Sequence, residues 1–302
     1  RRGSLLKRSL VAAGLLVVVL GATQAPAHAA PPRPGGVLLL SGQGATRAVE
    51  VRTGRVLGEV GRGNDATVAR LRTAYVRDVD PCHPDIEGCF GAADLHVAGI
   101  AGGPERMLVH NPEARGGVSA PDLSPDGRTI VYNWNTPGER GLNLVRTDGT
   151  GAEFDQIVPF TGPGTFSPDG RSIAFVKDAD VQVVDVATRV IRQVSTEGQA
   201  QPTGVDWSPD GRTLVYAGEY TIFTVPAAGG PSSAADFWPV QLAYPTSPVF
   251  SPDGRWIAFG AAERAENPDD PSTTRIFTAA PDGSGLTRVT DSYHQLTEWV
   301  GF

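Results

Sequence analysis

A ten-residue motif occurs four times in the chain at nearly constant spacing. Each copy places Ser-Pro-Asp-Gly-Arg between one large apolar residue and a short apolar run, and the copies are Leu123–Tyr132, Phe166–Phe175, Trp207–Tyr216 and Phe250–Phe259. Their aspartates are 43, 41 and 43 residues apart. A period in the low forties is typical of a four-stranded propeller blade.

Each motif predicts a β-hairpin. The apolar residue ends one strand, Pro presets φ at the first corner of a tight turn, and Asp and Gly tolerate the remaining corner. A second apolar stretch and a short outer strand follow, so one repeat supplies four strands, here named A to D from the inside out. Four aspartates recur at the same position and are expected to accept hydrogen bonds from their own turns rather than to take part in catalysis: Asp126, Asp169, Asp210 and Asp253.

The unit Phe/Trp-Ser-Pro-Asp-Gly-Arg-x-Ile-Ala-Phe resembles the repeat of TolB-like propellers, also called WD40-like or PD40 repeats. The resemblance is explicit over residues 118–302 and degraded over 36–117. In the degraded part the A to D strands of a second blade are expected at 66–71, 74–77, 95–98 and 106–109. Strands B, C and D of a first blade are expected at 36–40, 48–51 and 55–60.

The strand that the first blade lacks is expected at the other end of the chain. Leu296–Phe302 resembles the A strand that ends at Trp207. We therefore predict an all-β fold, a six-bladed β-propeller of four-stranded antiparallel blades over residues 36–302, with the first blade closed by the C-terminal strand. Closure of this kind removes the exposed edge of an open ring.

The first 29 residues have the pattern of a secretory signal peptide. A basic segment containing Arg1, Arg2, Lys7 and Arg8 precedes an apolar stretch from Leu10 to Leu20, and Ala27-His28-Ala29 offers a small-x-small cleavage site. The apolar stretch is shorter than the roughly 20 residues of a membrane-spanning helix. The sequence thus predicts a signal peptide over 1–29, a short linker over 30–35, and a secreted, periplasmic or cell-envelope protein. Retention of the apolar stretch as an anchor is the alternative, and the Arg1-Arg2 pair leaves Sec and twin-arginine export open.

Charge and cysteine usage restrict the partners. Residues 30–302 carry 22 Lys and Arg against 33 Asp and Glu, a net charge of −11. Such a chain repels phosphate backbones and anionic headgroups, so we expect neither nucleic acid nor membrane binding after signal cleavage. The two cysteines, Cys82 and Cys89, lie in one Pro/Gly-containing segment with only His83 as a further soft ligand, which favours a disulfide over a metal site.

The long insertions all fall on one face of the predicted propeller. The A–B and C–D turns form a turn face, and the B–C and D–A connections form an insertion face, which carries Asp78–Asp94, Gly229–Ser247 and Ala262–Thr274. Variable loops on a rigid scaffold are where recognition usually occurs. The candidate partner-binding residues are therefore Phe237, Trp238, Tyr244, Glu263, Asp269 and Asp270. For Phe237 and Trp238, packing beneath the loop is the open alternative.

Residues at the A strands supply core and metal candidates. Phe166, Trp207, Phe250 and Trp299 recur at one repeat position and are expected to form inter-blade core. Asp122, Asp206 and Glu298 each precede such a residue, so they are candidates to line the central channel and bind a cation, for which carboxylates suit calcium. Arg70 is assigned to the same position in the second blade, where it would pair with them.

The sequence contains no Gly-x-Ser-x-Gly, His-Glu-x-x-His or glycine-rich phosphate loop. We therefore expect a monomeric, non-catalytic binding module that needs no cofactor and holds a protein or peptide partner on its insertion face. The resemblance to TolB covers the propeller only and implies no role in a Tol–Pal system. The alternative is a hydrolase or lyase acting on a glycan or lactone at the channel mouth, with calcium as its metal.

Overall fold

The computed structural model describes residues 34–42, 45–60, 63–80, 92–100, 104–110, 116–136, 138–151, 155–198, 200–201, 203–237, 240, 242–263, 274–290 and 295–300. These residues form 24 β-strands in six four-stranded antiparallel groups. The all-β propeller architecture predicted from the repeat is confirmed. Within the described residues, no helix has the length and apolar character needed to cross a membrane.

Each blade follows the predicted A-to-D order. Blade 1 contains β1 (Val37–Gly42), β2 (Ala45–Glu50), β3 (Val56–Val60) and, as its A strand, β24 (Gln295–Val300). Blade 2 contains β4 (Asn64–Ala69), β5 (Arg72–Asp80), β6 (Ala92–Gly99) and β7 (Arg106–Val109). Blade 3 contains β8 (Gly116–Leu123), β9 (Thr129–Asn135), β10 (Arg140–Arg146) and β11 (Asp155–Pro159).

The remaining blades come from the second half of the chain. Blade 4 contains β12 (Gly164–Phe166), β13 (Ser172–Lys177), β14 (Asp180–Asp185) and β15 (Ile191–Gln193). Blade 5 contains β16 (Val205–Trp207), β17 (Thr213–Ala217), β18 (Ile222–Pro226) and β19 (Ser233–Ala234). Blade 6 contains β20 (Leu242–Phe250), β21 (Ile257–Glu263), β22 (Arg275–Ala279) and β23 (Thr287–Arg288).

The C-terminal strand closes blade 1. β24 pairs antiparallel with β1, with Leu38 opposite Trp299 and Val37 opposite Val300. Both ends of the described propeller therefore contribute to one sheet, as the sequence predicted, and β1 has a partner on each side.

The Ser-Pro-Asp-Gly turn is held by its own side chains. In blade 3, Asp126 Oδ1 accepts hydrogen bonds from Ser124 Oγ at 2.7 Å and from the Arg128 backbone N–H at 3.0 Å. Ser124 Oγ in turn accepts the Thr129 N–H at 2.9 Å, and Gly127 takes φ 69°, which glycine adopts without strain. The same aspartate bonds recur at Asp169, Asp210 and Asp253, so their predicted turn-capping role is confirmed.

The large apolar residues at the ends of the A strands lie between blades. Phe166, Trp207, Phe250 and Trp299 are 6–7% exposed, and each belongs to a cluster that joins residues of two neighbouring blades. Their prediction as inter-blade core is confirmed. This packing fixes the A strands around the ring and thereby sets the position of the residue that precedes each aromatic.

Two connections differ from the expectation. Blades 2 and 3 are joined by a short parallel pairing of β6 and β8, with Ala92 opposite Gly116 and Ala93 opposite Gly117. The segment 229–247, predicted as one long exit loop of blade 5, instead contains β19 and the first residues of β20. The described connection between these two strands is correspondingly shorter than the sequence indicated.

Candidate functional site

The six A strands surround one central cavity of about 290 Å³. Residues of β4, β8, β12, β16, β20 and β24 all line it. The position that faces the cavity is the residue before the inter-blade core residue, because side chains alternate along a strand and the core residue points between blades. In blade order these residues are Glu298, Thr67, Asp122, Thr165, Asp206 and Val249.

Carboxyl groups occupy this position in alternate blades. Blades 1, 3 and 5 supply Glu298, Asp122 and Asp206, which we name the channel carboxyls. The sequence correctly placed all three at the channel. It missed Thr67 and Thr165, although the gapless alignment of the repeats contained the signal for Thr165, which directly precedes Phe166.

Each channel carboxyl accepts a hydrogen bond from the next blade. Glu298 Oε2 accepts the backbone N–H of Val68 at 2.7 Å. Asp122 Oδ2 accepts that of Phe166 at 2.7 Å. Asp206 accepts the equivalent bond from Phe250 with the same length. The carboxyls therefore bridge the junctions between blades 1 and 2, 3 and 4, and 5 and 6.

Asp122 has further partners in the channel. Thr165 Oγ1 donates to its Oδ2 at 3.2 Å, and Thr67 Oγ1 lies 3.4 Å from its Oδ1 as a weak donor. These hydroxyls come from the two blades on either side, so Asp122 is the most extensively bonded of the three carboxyls. Hydrogen bonds to the charged form favour ionisation.

The walls of the cavity raise the pKa of all three carboxyls. By surface area the residues are half-buried, since they face the cavity, but the surrounding strands separate them from bulk water. This desolvation disfavours the charged form and raises the pKa of Asp122 to about 6, that of Asp206 to about 7 and that of Glu298 to about 8. The charge on Asp122 adds to the effect at both other sites.

A fourth carboxyl lies at the same cavity. Asp65 lines it from β4, and burial raises its pKa as well. Among the described residues that line the cavity there is no Lys, Arg or His. The described lining of the channel is thus acidic and supplies no counter-ion.

A compact metal centre is not formed by the described residues. Across the part of the chain that the structure describes, no group of three or more His, Cys, Asp and Glu side chains is arranged to hold a metal ion. The channel carboxyls, proposed from the sequence as cation ligands, are directed instead to backbone N–H groups of neighbouring blades.

Arg70 does not occupy the channel position in blade 2, so this expectation was wrong. β4 and β5 pair with Ala69 opposite Arg72, which leaves Arg70 and Leu71 as a two-residue turn. Arg70 is exposed, has φ 55°, and donates from Nε to the carbonyl of Pro125 at 3.2 Å. β4 therefore ends before Arg70, and Thr67 takes the position that faces the channel.

The mouth of the channel on the insertion face has unusual backbone geometry. Asp65, Ala120 and Ser247, each two residues before a channel residue, have φ of 49°, 44° and 47°. Register shifts occur at the same points of β4, β8 and β20. Such β-bulges redirect a strand and frequently lie next to binding sites, because they aim side chains away from the regular pleat.

Aromatic side chains are exposed on the same face. Among the described residues the exposed aromatics are Phe160 at 69%, Tyr220 at 47% and Tyr244 at 45%. Phe160 lies in the D–A connection after β11, Tyr220 in the B–C turn before β18, and Tyr244 near the start of β20. All three positions belong to the insertion face. Sequence reasoning identified only Tyr244, because Phe160 and Tyr220 lie in short connections.

The rings of Tyr220 and Tyr244 lie against each other. Their centroids are 6.3 Å apart with planes at 41°, and the Tyr244 N–H donates to the carbonyl of Glu219 at 3.1 Å. Tyr244 has φ 48° and Phe160 has φ 55°, a region that costs a non-glycine residue roughly 1–2 kcal/mol. The backbone of Tyr244 and Phe160 is therefore strained at two positions whose side chains are exposed.

The other predicted partner residues have different environments. Phe237 is 8% exposed and packs on Phe259 with ring centroids 5.2 Å apart, which is the packing alternative for this side chain. Trp238, Asp269, Asp270, Cys82 and Cys89 lie outside the described residues, as do residues 1–29. Glu263 ends β21, but its side chain is not described.

Known proteins resemble this chain in two ways, in sequence and in fold. No family model matches the chain. It is 27% identical over 181 residues to a probable dipeptidyl-peptidase 5 of Emericella nidulans, covering 47% of this chain and 24% of the relative. It is 29% identical over 145 residues to dipeptidyl-peptidase 5 of Trichophyton equinum, covering 37% and 20%. The chain thus spans a quarter or less of the length of these curated relatives.

Solved structures share the fold more completely. TolB from Acinetobacter baumannii has a TM-score of 0.61 at 14% identity, covering 88% of this chain and 66% of that one. A putative TolB from Agrobacterium tumefaciens has a TM-score of 0.55 at 19% identity, with 87% and 91% covered. A chain of a nidogen–laminin complex has a TM-score of 0.58 at 11% identity, with 86% and 94% covered. The chain has a TolB-like propeller fold.

Proposed function

We propose that this chain is an exported, non-catalytic binding protein that holds a protein or peptide partner on its insertion face, over the mouth of the central channel. One observation carries the proposal. Every exposed aromatic side chain of the described residues, namely Phe160, Tyr220 and Tyr244, lies on the face where the channel mouth has its β-bulges.

The exposed aromatics suit a protein interface. Tyr and Phe offer large contact areas at low conformational cost, and aromatic residues dominate the binding energy of protein interfaces. Tyr220 and Tyr244 hold each other in place, so little further ordering is needed when a partner arrives. The strained φ at Tyr244 and Phe160 supports a functional reason for keeping them exposed.

Charge defines the partner further. The described residues of the channel wall include Asp65 and the channel carboxyls but no basic residue, and residues 30–302 carry a net charge of −11. Complementary potentials steer partners and suppress wrong ones, so a partner segment with basic or neutral side chains is favoured over an acidic one. The sequence assigns Trp238, Glu263, Asp269 and Asp270 to insertions of this face, and we keep them in the proposed surface.

The comparisons support a binding role in general terms. One chain with this fold was solved as part of a nidogen–laminin complex, and the TolB structures share the fold over most of this chain. The pattern of residues 1–29 supports export to the cell envelope or the extracellular space.

The proposal is tested by capture of partner proteins from an envelope fraction on the immobilised full chain. Replacing Phe160, Tyr220 and Tyr244 with Ser removes the aromatic contacts, and each hot-spot side chain is worth about 1–2 kcal/mol or more, so capture of a specific partner should fall at least about tenfold. The matched control replaces three exposed apolar residues of the turn face with Ser: Leu71, Ile100 and Val190. Undiminished capture by the first variant, or loss in the control alone, contradicts binding on the insertion face.

A further inference from the structure

The three inter-blade bonds of the channel carboxyls form a repeated arrangement. Each joins an odd-numbered blade to the backbone N–H of the next A strand over 2.7 Å, at Val68, Phe166 and Phe250. All three carboxyls face the same 290 Å³ cavity. The state of one cavity therefore affects three of the six blade junctions together.

The charged groups around the cavity can be assigned strand by strand. β24 contributes Glu298, β4 contributes Asp65, β8 contributes Asp122 and β16 contributes Asp206, whereas β12 and β20 present the uncharged Thr165, Ser247 and Val249. Arg70, which the sequence placed at this channel, binds the Pro125 carbonyl at the turn face and is not among the residues that line the cavity. Ionisation of all four groups therefore places four negative charges around one cavity.

The protonated and ionised forms of the channel carboxyls differ in the charge that they place in the cavity. A protonated carboxyl still accepts the N–H bond through its carbonyl oxygen and places no charge in the cavity. An ionised group loses hydration and is repelled by its charged neighbours, and this cost is relieved when the A strands move apart and water enters the junction. The junctions observed in this structure are therefore favoured by the protonated carboxyls.

We propose that Asp122, Asp206 and Glu298 act together as a pH-sensitive switch, which keeps alternate blade junctions tight when the carboxyls are protonated and loosens them when the carboxyls ionise. The raised pKa of each group agrees with this assignment and places the transition near neutral pH. The switch goes beyond the proposed binding function and does not depend on it.

Glu298 connects the switch to ring closure. It lies on β24, the strand that completes blade 1, and its bond to Val68 ties that strand to blade 2. Asp122, with hydroxyl donors from Thr165 and Thr67, has the lowest pKa of the three channel carboxyls and ionises first as pH rises. The charge on Asp122 raises the pKa of both other carboxyls, so the three groups titrate as a coupled set and their junctions are expected to loosen together.

The effect on stability has a definite sign. In the unfolded chain these carboxyls lose their protons near pH 4, whereas in the folded chain they keep them to about pH 6–8. Between about pH 4 and pH 8 the folded state therefore binds more protons than the unfolded state, and stability falls as pH rises. Each titrating carboxyl changes the unfolding equilibrium constant by up to about tenfold per pH unit. We expect that constant to increase at least about 100-fold between pH 5 and pH 8 in the full chain.

Amide substitutions separate protonation from packing. In the variant D122N/D206N/E298Q each amide oxygen still accepts its N–H bond and no group titrates, so most of the loss between pH 5 and pH 8 should disappear in urea unfolding. The control Asp210→Asn alters an exposed turn carboxyl and should keep the full loss. An unchanged pH dependence in the triple variant overturns the switch.

Two measurements on the unmodified chain apply even if the triple variant does not fold. Carbon-13 NMR should show carboxyls of the channel titrating above pH 5.5; titration of every carboxyl below pH 5 overturns the proposal. Amide exchange, corrected for the intrinsic rate, should accelerate between pH 6 and pH 8 at Val68, Phe166 and Phe250 more than at the centre of β13. Equal acceleration at both places means global unfolding rather than loosened junctions and also overturns it.

Discussion

Replacement of Trp299 tests how much the closing strand β24 contributes to the stability of the propeller. Its side chain is 6% exposed and packs with Leu38 and Trp256, which come from blades 1 and 6. Its indole N–H donates to the Gly35 carbonyl at 3.1 Å. Because β24 holds β1 through this residue and the adjacent backbone pairs, removing the side chain weakens the only sheet built from both ends of the described propeller.

The expected loss is large. Replacing a buried Trp with Ala costs about 3–5 kcal/mol, since both the transfer of the ring and the remaining cavity contribute. For a chain of this size 1 kcal/mol corresponds to roughly 2–4 °C in Tm, so Trp299→Ala should lower Tm by about 6–20 °C. Trp299→Phe keeps most of the apolar area but loses the N–H bond, which is worth about 0.5–1.5 kcal/mol.

Differential scanning calorimetry and urea unfolding of the full chain provide the assay. Trp207→Ala is the matched comparison, because Trp207 holds the same position in blade 5, is 7% exposed and donates its indole N–H to the Thr165 carbonyl at 3.2 Å. Similar losses in the two variants are expected from a closed ring. A loss below about 1 kcal/mol for Trp299→Ala beside a full loss for Trp207→Ala would refute the role of β24 in closure.

Three further changes test the backbone, the turns and the insertion face. Gly141→Ala should destabilise the chain by several kcal/mol in urea unfolding, because Gly141 has φ 146° and an added Cβ would lie 2.2 Å from the Val158 carbonyl oxygen. The control Gly58→Ala should be neutral or slightly stabilising, because an added Cβ there meets nothing within 4 Å. Asp169→Asn should reduce the loss of stability that acid causes below about pH 4. The Ser167 hydroxyl lowers the pKa of the Asp169 carboxyl, so the stability that this carboxylate contributes is present above the unfolded pKa and is lost as pH falls. If the turn bond contributes nothing, circular dichroism across pH 2–5 would show an unchanged acid transition. Phe237→Ala should lower stability by about 3–5 kcal/mol because the ring is core, and a variant that loses partner capture with an unchanged Tm would contradict this assignment.

The repeated motif was sufficient to predict the fold because turn chemistry and core packing coincide in it. Pro, Asp and Gly define the A–B turn, and the large residue before Ser defines the inter-blade core, so four blades followed directly from the sequence. Blade 2 shows where this reasoning stops. Its turn consists of Arg70 and Leu71 alone, and without a Ser-Pro-Asp-Gly marker the register of β4 could not be fixed from apolar spacing.

Burial in the insertion-face connections depends on contacts distant in sequence. Phe237 occurs in a segment that reads as an exposed loop, yet it packs on Phe259 of β21. Tyr244 comes only seven residues later, is 45% exposed and has a ring partner in Tyr220. Local composition does not distinguish these cases, because what covers an aromatic residue in a connection is a strand of another hairpin.

The residue that faces the channel in each blade shows that the fold does not require a carboxyl there. Val249 occupies it in blade 6 and Thr67 and Thr165 in blades 2 and 4, so a propeller blade packs without a carboxyl there. Carboxyls in the other three blades carry a desolvation cost, seen in their raised pKa, that an apolar or hydroxyl side chain would avoid. Positions where a sequence departs from what packing favours are where function is expected. The alternation of acid and neutral residues around the channel is therefore the strongest indication in this chain that the channel, and not only the surface around it, has a role.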